Sequence, residues 1–241
     1  MLHKTRGIVL HQLKYSENSI IAKIYTEQFG LQSYLIKNAH SKKSSVKANV
    51  LQPLSLLDLV VYKKAKSTLQ HIKEIKNILP QSSIPFDIYK SSIALFINEI
   101  LYKCIREEEA NKSLFEFIFN AILMLDLKEN NFQNFHLLFM IKLSKNLGFS
   151  PLGGYSEHTP FFDFQEGLFK QNKSEHFYFI SPPLSKIFHQ LIILNLEQME
   201  ELKINNRERK ELLNKLIQYY ELHITRFAEI KSHQVLEAIM G

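Results

Sequence analysis

Alternation dominates the first third of the chain. Five short apolar-polar stretches are cut by turns and one basic loop, at about 4–11, 18–26, 31–37, 54–63 and 69–77; the fourth is nearly all apolar save Asp58, as suits a strand covered on both sides. A period of two marks a strand with one face buried. In the clearest stretch, Ile20, Ala22 and Ile24 share one face, and Ile21, Lys23 and Tyr25 share the other. Gly7 inside the first run points to a bulge or a tight bend. Five strands with no helical segment between them predict a small closed barrel, because closure removes the edges that an open sheet would expose.

After Pro80 and Pro85 the period becomes helical. Ile93, Ile97, Ile100 and Cys104 recur on one face of a helix over about 87–106. Further helices are expected over about 114–127, 131–147, 184–194, 206–229 and 232–240. Ser113 and Glu116 have the spacing of a capping box for the first of these, and Gly148 is a natural stop for the second. The stretch 206–229 places Leu212, Leu216, Tyr219, Tyr220, His223 and Phe227 inward. Residues 148–183 are irregular, with a hairpin expected where Phe161-Phe162-Asp163-Phe164 and Leu168-Phe169 flank Gln165-Glu166-Gly167. The expected fold class is therefore α+β. An N-terminal five-stranded OB-fold β-barrel over 1–80 precedes an all-helical C-terminal domain over 81–241, which carries the small hairpin insert 148–183. The OB-fold is the five-stranded barrel most used for nucleic acids, although a fold alone assigns no function.

Charge sharpens this picture. The net charge is +6, but residues 1–80 hold 13 Lys and Arg against 4 Asp and Glu, a balance of +9, and the remainder is at −3. The basic excess thus sits wholly on the expected barrel, the footprint of a polyanionic partner; a solvated lysine-rich surface is the competing reading. Lys37, Lys42, Lys43 and Lys47 lie in or beside a polar loop, and Lys63, Lys64 and Lys66 form a basic turn. These seven are the first candidates for phosphate-backbone contact, with Arg6, Lys14 and Lys23 next. Tyr25, Tyr34 and Tyr62 are candidate base-stacking platforms, with half-buried packing as the alternative.

Other chemistry is missing from the sequence. There is no P-loop, H-E-x-x-H, G-x-S-x-G or C-x-x-C, and the single cysteine, Cys104, falls on an apolar helix face. The ten histidines are scattered, and His158 and His176 beside Glu157 and Asp163 match no standard zinc spacing. The expectation is a protein that is not an enzyme, with no cofactor and no metal. No stretch has the roughly 20 apolar residues of a membrane helix, and no apolar leader is visible at the N-terminus; a cytoplasmic setting is expected.

Four stretches carry a family resemblance. They are Thr5-Arg6-Gly7-Ile8-Val9-Leu10 with Tyr15-Ser16-Glu17-Asn18 and Thr26 to Gly30; Leu51-Gln52-Pro53-Leu54 with Leu69 to Ile75; Asn146-Leu147-Gly148-Phe149-Ser150-Pro151; and Tyr219-Tyr220 through His223 to Ile230–Leu236. In this order, over essentially the full length, the chain resembles the bacterial recombination mediators of the RecO family. The resemblance implies an OB-fold followed by a helical domain and a non-enzymatic role in DNA repair and recombination, at the nucleoid. It implies binding of single- and double-stranded DNA, strand annealing, and partnership with RecR. It also implies binding to the acidic tail of single-stranded DNA-binding protein and, through these, help in loading RecA. Lys142, Lys145, Arg226 and Lys231 are the candidate anchors for that acidic tail. Many members carry two C-x-x-C pairs that hold zinc around the insert, whereas Gly148 to Lys170 contains no cysteine here. Phe161, Phe162, Phe164, Leu168 and Phe169 are expected to hold the insert by packing instead. The competing readings are a protein-interaction adaptor with incidental nucleic-acid binding and an RNA-binding OB protein.

Overall fold

The computed structural model describes residues 1–37, 48–64 and 67–240. The chain divides into two compact units, Met1–Asp87 with Ile97–Asp126, and Ile88–Phe96 with Leu127–Gly241.

In the first unit, β1 (Leu2–Ser16), β2 (Ser19–Thr26), β3 (Gly30–Lys37), β4 (Leu56–Tyr62) and β5 (Leu69–Asn77) close a barrel. The order is β1-β2-β3-β5-β4, with β4 paired back onto β1. Only β3 and β5 run parallel. This is the expected OB barrel, and a helical C-terminal region follows it. The inward positions of the alternating runs, among them Val9, Ile20, Ala22, Ile24, Tyr34, Ile36 and Leu59, make its core. Gly7 is required by that packing. A Cβ there would meet Ile24 Cγ2 and Leu59 Cδ1, both at 2.7 Å, well inside contact distance.

One outer flank of the barrel is also buried. Ile8, Leu10, Tyr25 and Leu56 point away from the barrel interior and are still 2% exposed or less. Over them lie the second half of α1 (Ile88–Cys104) and α2 (Lys112–Leu127), with Tyr25 against Phe115 at 6.0 Å and Asn98 Nδ2 donating to Leu10 O at 3.0 Å. The α2 cap departs from expectation. Asn111 Oδ1, not a Ser113–Glu116 box, accepts the N–H of Leu114 at 3.0 Å. Glu116 is drawn instead to Arg6. Asp126, near the end of α2, accepts the backbone N–H groups of Ser82, Ser83 and Ile84 at 2.8, 2.9 and 2.9 Å. It thereby fixes the segment that leaves the barrel.

The second unit is built on α3 (Phe135–Asn146), of which only Lys142, Lys145 and Asn146 escape full burial. Its start lies later than the expected 131, because Asn131 takes φ +59° and breaks the helical path. Its end is as expected. Gly148, at φ +87°, donates to Lys145 O, and Phe149 donates to Ser144 O, which is a Schellman stop. The insert forms a small sheet of β6 (Phe161–Asp163), β7 (Leu168–Lys170) and β8 (Phe179–Ile180), in the order β7-β6-β8. The third strand was invisible to alternation because it is two residues long.

Against this sheet pack α4 (Leu184–Ile193) and α5 (Asn206–His223), and α6 (Ser232–Met240) lies on α5, where Glu237 meets Lys210 and Asn214. The expected helix over 206–229 ends at His223. Ile224 is extended and Arg226 adopts φ +58°, and two adjacent β-branched residues, Ile224 and Thr225, make the break inexpensive. Tyr219 and Tyr220 donate their hydroxyls to Phe149 O and Met140 O at 2.7 and 2.6 Å, and His223 Nε2 bonds Phe164 O at 2.8 Å. One face of α5 therefore ties α3 to the insert.

Candidate nucleic-acid interface

β3 is the spine of the candidate surface. Along it buried and partly or fully exposed positions alternate without a break, so Leu31, Ser33, Leu35 and Lys37 face outward. Register then places their neighbours. Ser33 lies opposite Lys23 of β2, Lys23 opposite His11 of β1, and Lys37 opposite Ser19. Leu35 lies opposite His71 of β5. Lys23 and Lys37 thus stand at different heights of one outer face, four positions of β3 apart from Ser33 to Lys37, about 13 Å at 3.3 Å per residue.

At the lower end, Lys63 donates to Gln32 Oε1 at 2.5 Å and lies 5.5 Å from the Phe29 ring. Beyond it Gln70 brackets Lys64, its amide receiving Lys64 N–H at 2.9 Å and donating to Lys64 O at 3.0 Å. That leaves the Lys64 side chain exposed. Lys37 and Lys14 are exposed as well, Lys14 at the mouth of the barrel opposite Ile20. Lys23 is half-buried with its ammonium 5.3 Å from the Tyr102 ring, on which His11 also stacks at 4.7 Å. Burial, and then the charge of Lys23, push the His11 imidazole below its ordinary value. Lys42, Lys43, Lys47 and Lys66 lie outside the described residues. Lys73, exposed two positions beyond His71, falls at the β4–β5 register shift, with its ammonium 3.6 Å from Glu74.

Three expectations need correction. Tyr25 and Tyr34 are 1% and 0% exposed, one under α2 and one in the barrel core, so neither ring can stack on a base. Tyr62, at 40%, remains available. Arg6 is a structural anchor. Its guanidinium makes paired bonds of 2.9 Å to Glu27, contacts Glu116, and lies 5.2 and 5.0 Å from the Phe115 and Phe119 rings. The hydrogen bond to Arg6 is the main cause that holds the Glu27 carboxyl below its ordinary range. With two carboxylates around it, Arg6 has no charge left for a phosphate. Arg6→Met is expected to cost about 1–2 kcal/mol in denaturant unfolding while leaving nucleic-acid affinity unchanged. An equal loss of affinity would return Arg6 to the contact set.

In the second unit the candidate tail anchors divide. Lys142 is half-buried and donates to Ile192 O at 2.8 Å; burial, and then the charge of Lys145, lower its ammonium. It serves the α3–α4 packing. Lys145, Arg226 and Lys231 are exposed.

The insert does not suit zinc. Phe162 and Phe164 are fully buried and Phe169 nearly so, whereas Phe161 and Leu168 are only half-buried. Asp163, the buried carboxylate of the insert, is already satisfied. It accepts the N–H groups of Gln165 and Glu166 at 2.9 and 3.0 Å and the hydroxyl of Ser174, and it lies 3.3 Å from His176. Burial alone would raise this carboxyl. Ser174, the Glu166 N–H, the His176 charge and the Gln165 N–H together outweigh it and hold it below the ordinary range. Among the described residues no three His, Cys, Asp or Glu side chains gather.

Two family descriptions match most of the chain. They are Recombination protein O N terminal over residues 1–80 and Recombination protein O C terminal over residues 85–233. The chain belongs to the RecO family. Relatives named DNA repair protein RecO cover it almost completely. That of Bacteroides fragilis is 39% identical over 240 residues, that of Flavobacterium psychrophilum 39% over 244, and that of Azobacteroides pseudotrichonymphae 36% over 239; each alignment covers 99% of both chains. RecO-family membership places the chain in bacterial DNA repair and recombination. Two of the four stretches that carry the RecO resemblance also meet in space, where Phe149 stacks on His223 at 5.4 Å and packs on Tyr219 and Tyr220 at 5.7 and 5.0 Å. Among the described residues no helix is long and apolar enough to cross a membrane.

Proposed function

We propose that this RecO-family chain is a non-enzymatic recombination mediator. It binds single- and double-stranded DNA through the barrel, anneals complementary strands, and acts with RecR to load RecA onto DNA coated by single-stranded DNA-binding protein. Residues 1–80 form the nucleic-acid-binding domain, and residues 81–241 the helical domain that meets protein partners, at the nucleoid. The observation that carries this reading is the concentration of charge. The balance of +9 over residues 1–80 leaves Lys37 and Lys64 exposed at opposite ends of the β3 face. Cations spaced along a strand neutralise successive phosphates without reading bases, and two neutralised strands can approach each other and slide into register. Lys42, Lys43, Lys47 and Lys66 extend this cation set by their place in the sequence, and Lys14 and Lys23 complete it. Lys145, Arg226 and Lys231 are the remaining anchors for the acidic tail.

The test is annealing of complementary oligonucleotides coated with single-stranded DNA-binding protein, across a salt series. Each lysine that contacts a phosphate contributes about 0.7 to the slope of log affinity against log salt for single strands. Lys37→Gln with Lys64→Gln is expected to lower that slope by about 1.4 and to slow annealing. Lys42, Lys43 and Lys47 changed together to alanine should do more. Folded protein that neither binds nor anneals at low salt would favour the adaptor reading. A marked preference for RNA of the same sequence would favour an RNA-binding role.

A further inference from the structure

We infer that the barrel carries a base-contacting ridge for unpaired nucleotides, formed by Leu13, Ile21, Leu35, His71 and Tyr62 between two levels of cations. The inference rests on the DNA-binding reading above and names the form of DNA that this surface takes. Strand register draws the ridge. Leu13 lies opposite Ile21, Ile21 opposite Leu35, Leu35 opposite His71, and His71 opposite Tyr62. One outward side chain from each of the five strands therefore stands in a single row around the barrel. Four strand spacings of about 4.8 Å make the row roughly 19 Å long.

These side chains are not hidden. Leu13 is 41% exposed and Tyr62 40%, and Ile21, Leu35 and His71 are each partly exposed. They contrast with Ile8, Leu10 and Leu56 on the covered flank, which are fully buried. A band of leucine, isoleucine, histidine and tyrosine left open to water asks for an occupant with flat apolar faces. Charge says which one. Two residues below the ridge on β2 stands Lys23, and two residues above it on β3 stands Lys37. A strand laid along the ridge would set its bases on the apolar row and its phosphates against the lysines on either side. Duplex DNA keeps its bases stacked inside and offers this row only phosphate and sugar, so the ridge adds nothing to duplex binding. Three of its five members are aliphatic, so it has few groups that could read a base edge, and its preference is for unpaired nucleotides of any sequence.

Fluorescence anisotropy of the full chain separates the contributions. The probes are labelled oligothymidylate, an abasic oligonucleotide with the same number of phosphates, and a hairpin duplex. Oligothymidylate is expected to bind about tenfold or more tighter than the abasic strand. Leu13→Ser with Tyr62→Ala, both at exposed positions, should bring oligothymidylate down toward the abasic level while the salt slope stays unchanged. Equal affinity for thymidylate and abasic strands in the unaltered protein overturns the ridge and leaves phosphate-only DNA binding intact. That comparison needs no variant, so a folding defect in the double substitution cannot obscure it. Failure to bind any of the three probes at low salt overturns both the ridge and the DNA-binding reading.

Discussion

Phe162→Ala is expected to cost about 3–5 kcal/mol, the largest loss available at a single side chain of the insert. The ring is 0% exposed and sits where three elements meet. It contacts Phe188 of α4 at 4.6 Å, Phe169 of β7 at 5.0 Å, Tyr219 of α5 at 5.9 Å and Phe164 at 6.0 Å. Removing it opens a cavity bordered by aromatic rings, which cannot collapse without shifting strand or helix backbone. The same contacts bind the insert to the helices without a metal, so added zinc should not rescue the variant. Urea unfolding followed by far-ultraviolet circular dichroism gives the loss. Phe177→Ala is the control, because Phe177 is 90% exposed in the same segment and its loss should stay within about 0.5 kcal/mol. A cost below about 1 kcal/mol for Phe162→Ala would mean that the polar turn around Asp163, not the aromatic packing, holds the insert.

How much of this was legible follows from which residues set each feature. The barrel was readable because its strands alternate cleanly: Ile20, Ala22 and Ile24 announce an inside before any pairing is known. What alternation cannot show is a second buried face. Tyr25 has the outward parity that made it a stacking candidate, yet α2 covers it, and α2 lies some 90 positions along the chain. Arg6 was misread for the same reason, since its partner Glu116 is 110 residues distant. Tyr34 erred differently. Its parity was inward all along, and only its residue type suggested a surface role. Helix ends were readable where glycine set them, as at Gly148. They were missed where a non-glycine residue took a positive φ, as at Asn131 and Arg226. The ridge was out of reach from sequence because its members come from five strands and meet only through register.

Acid should destabilise the second unit well before its carboxylates titrate. His136 on α3 is 1% exposed, and neither ring nitrogen has a hydrogen-bond partner among the described residues. Burial, and then the charge of Arg209, push its imidazole down to about 3. Arg209, Lys210 and Glu237 line the small cavity beside it, and Phe96 packs edge-on at 6.0 Å, so two of the three charged neighbours oppose a further positive charge. In the unfolded chain the same group takes a proton near its ordinary value of about 6.5. Between those limits the unfolded state binds more protons than the folded one. Stability is therefore complete above about pH 6.5 and falls as pH is lowered toward 3. The slope approaches 1.4 kcal/mol per pH unit, or about 2 kcal/mol lost by pH 5. His11, also lowered, adds to the decline in the first unit. The lowered carboxyls of Glu27, Asp126 and Asp163 contribute only below their unfolded range near 4. The interval from about 6.5 to 5 thus belongs to histidine. Urea unfolding at pH 7.5, 6 and 5 measures the effect, and His136→Leu isolates it. Leucine fills similar space, buries no unpaired nitrogen and cannot charge. The variant should be at least as stable as the parent at pH 7.5 and should lose much less by pH 5. A parent whose stability does not change over that interval would mean that His136 takes a proton in the folded state, with a partner for its ring nitrogens.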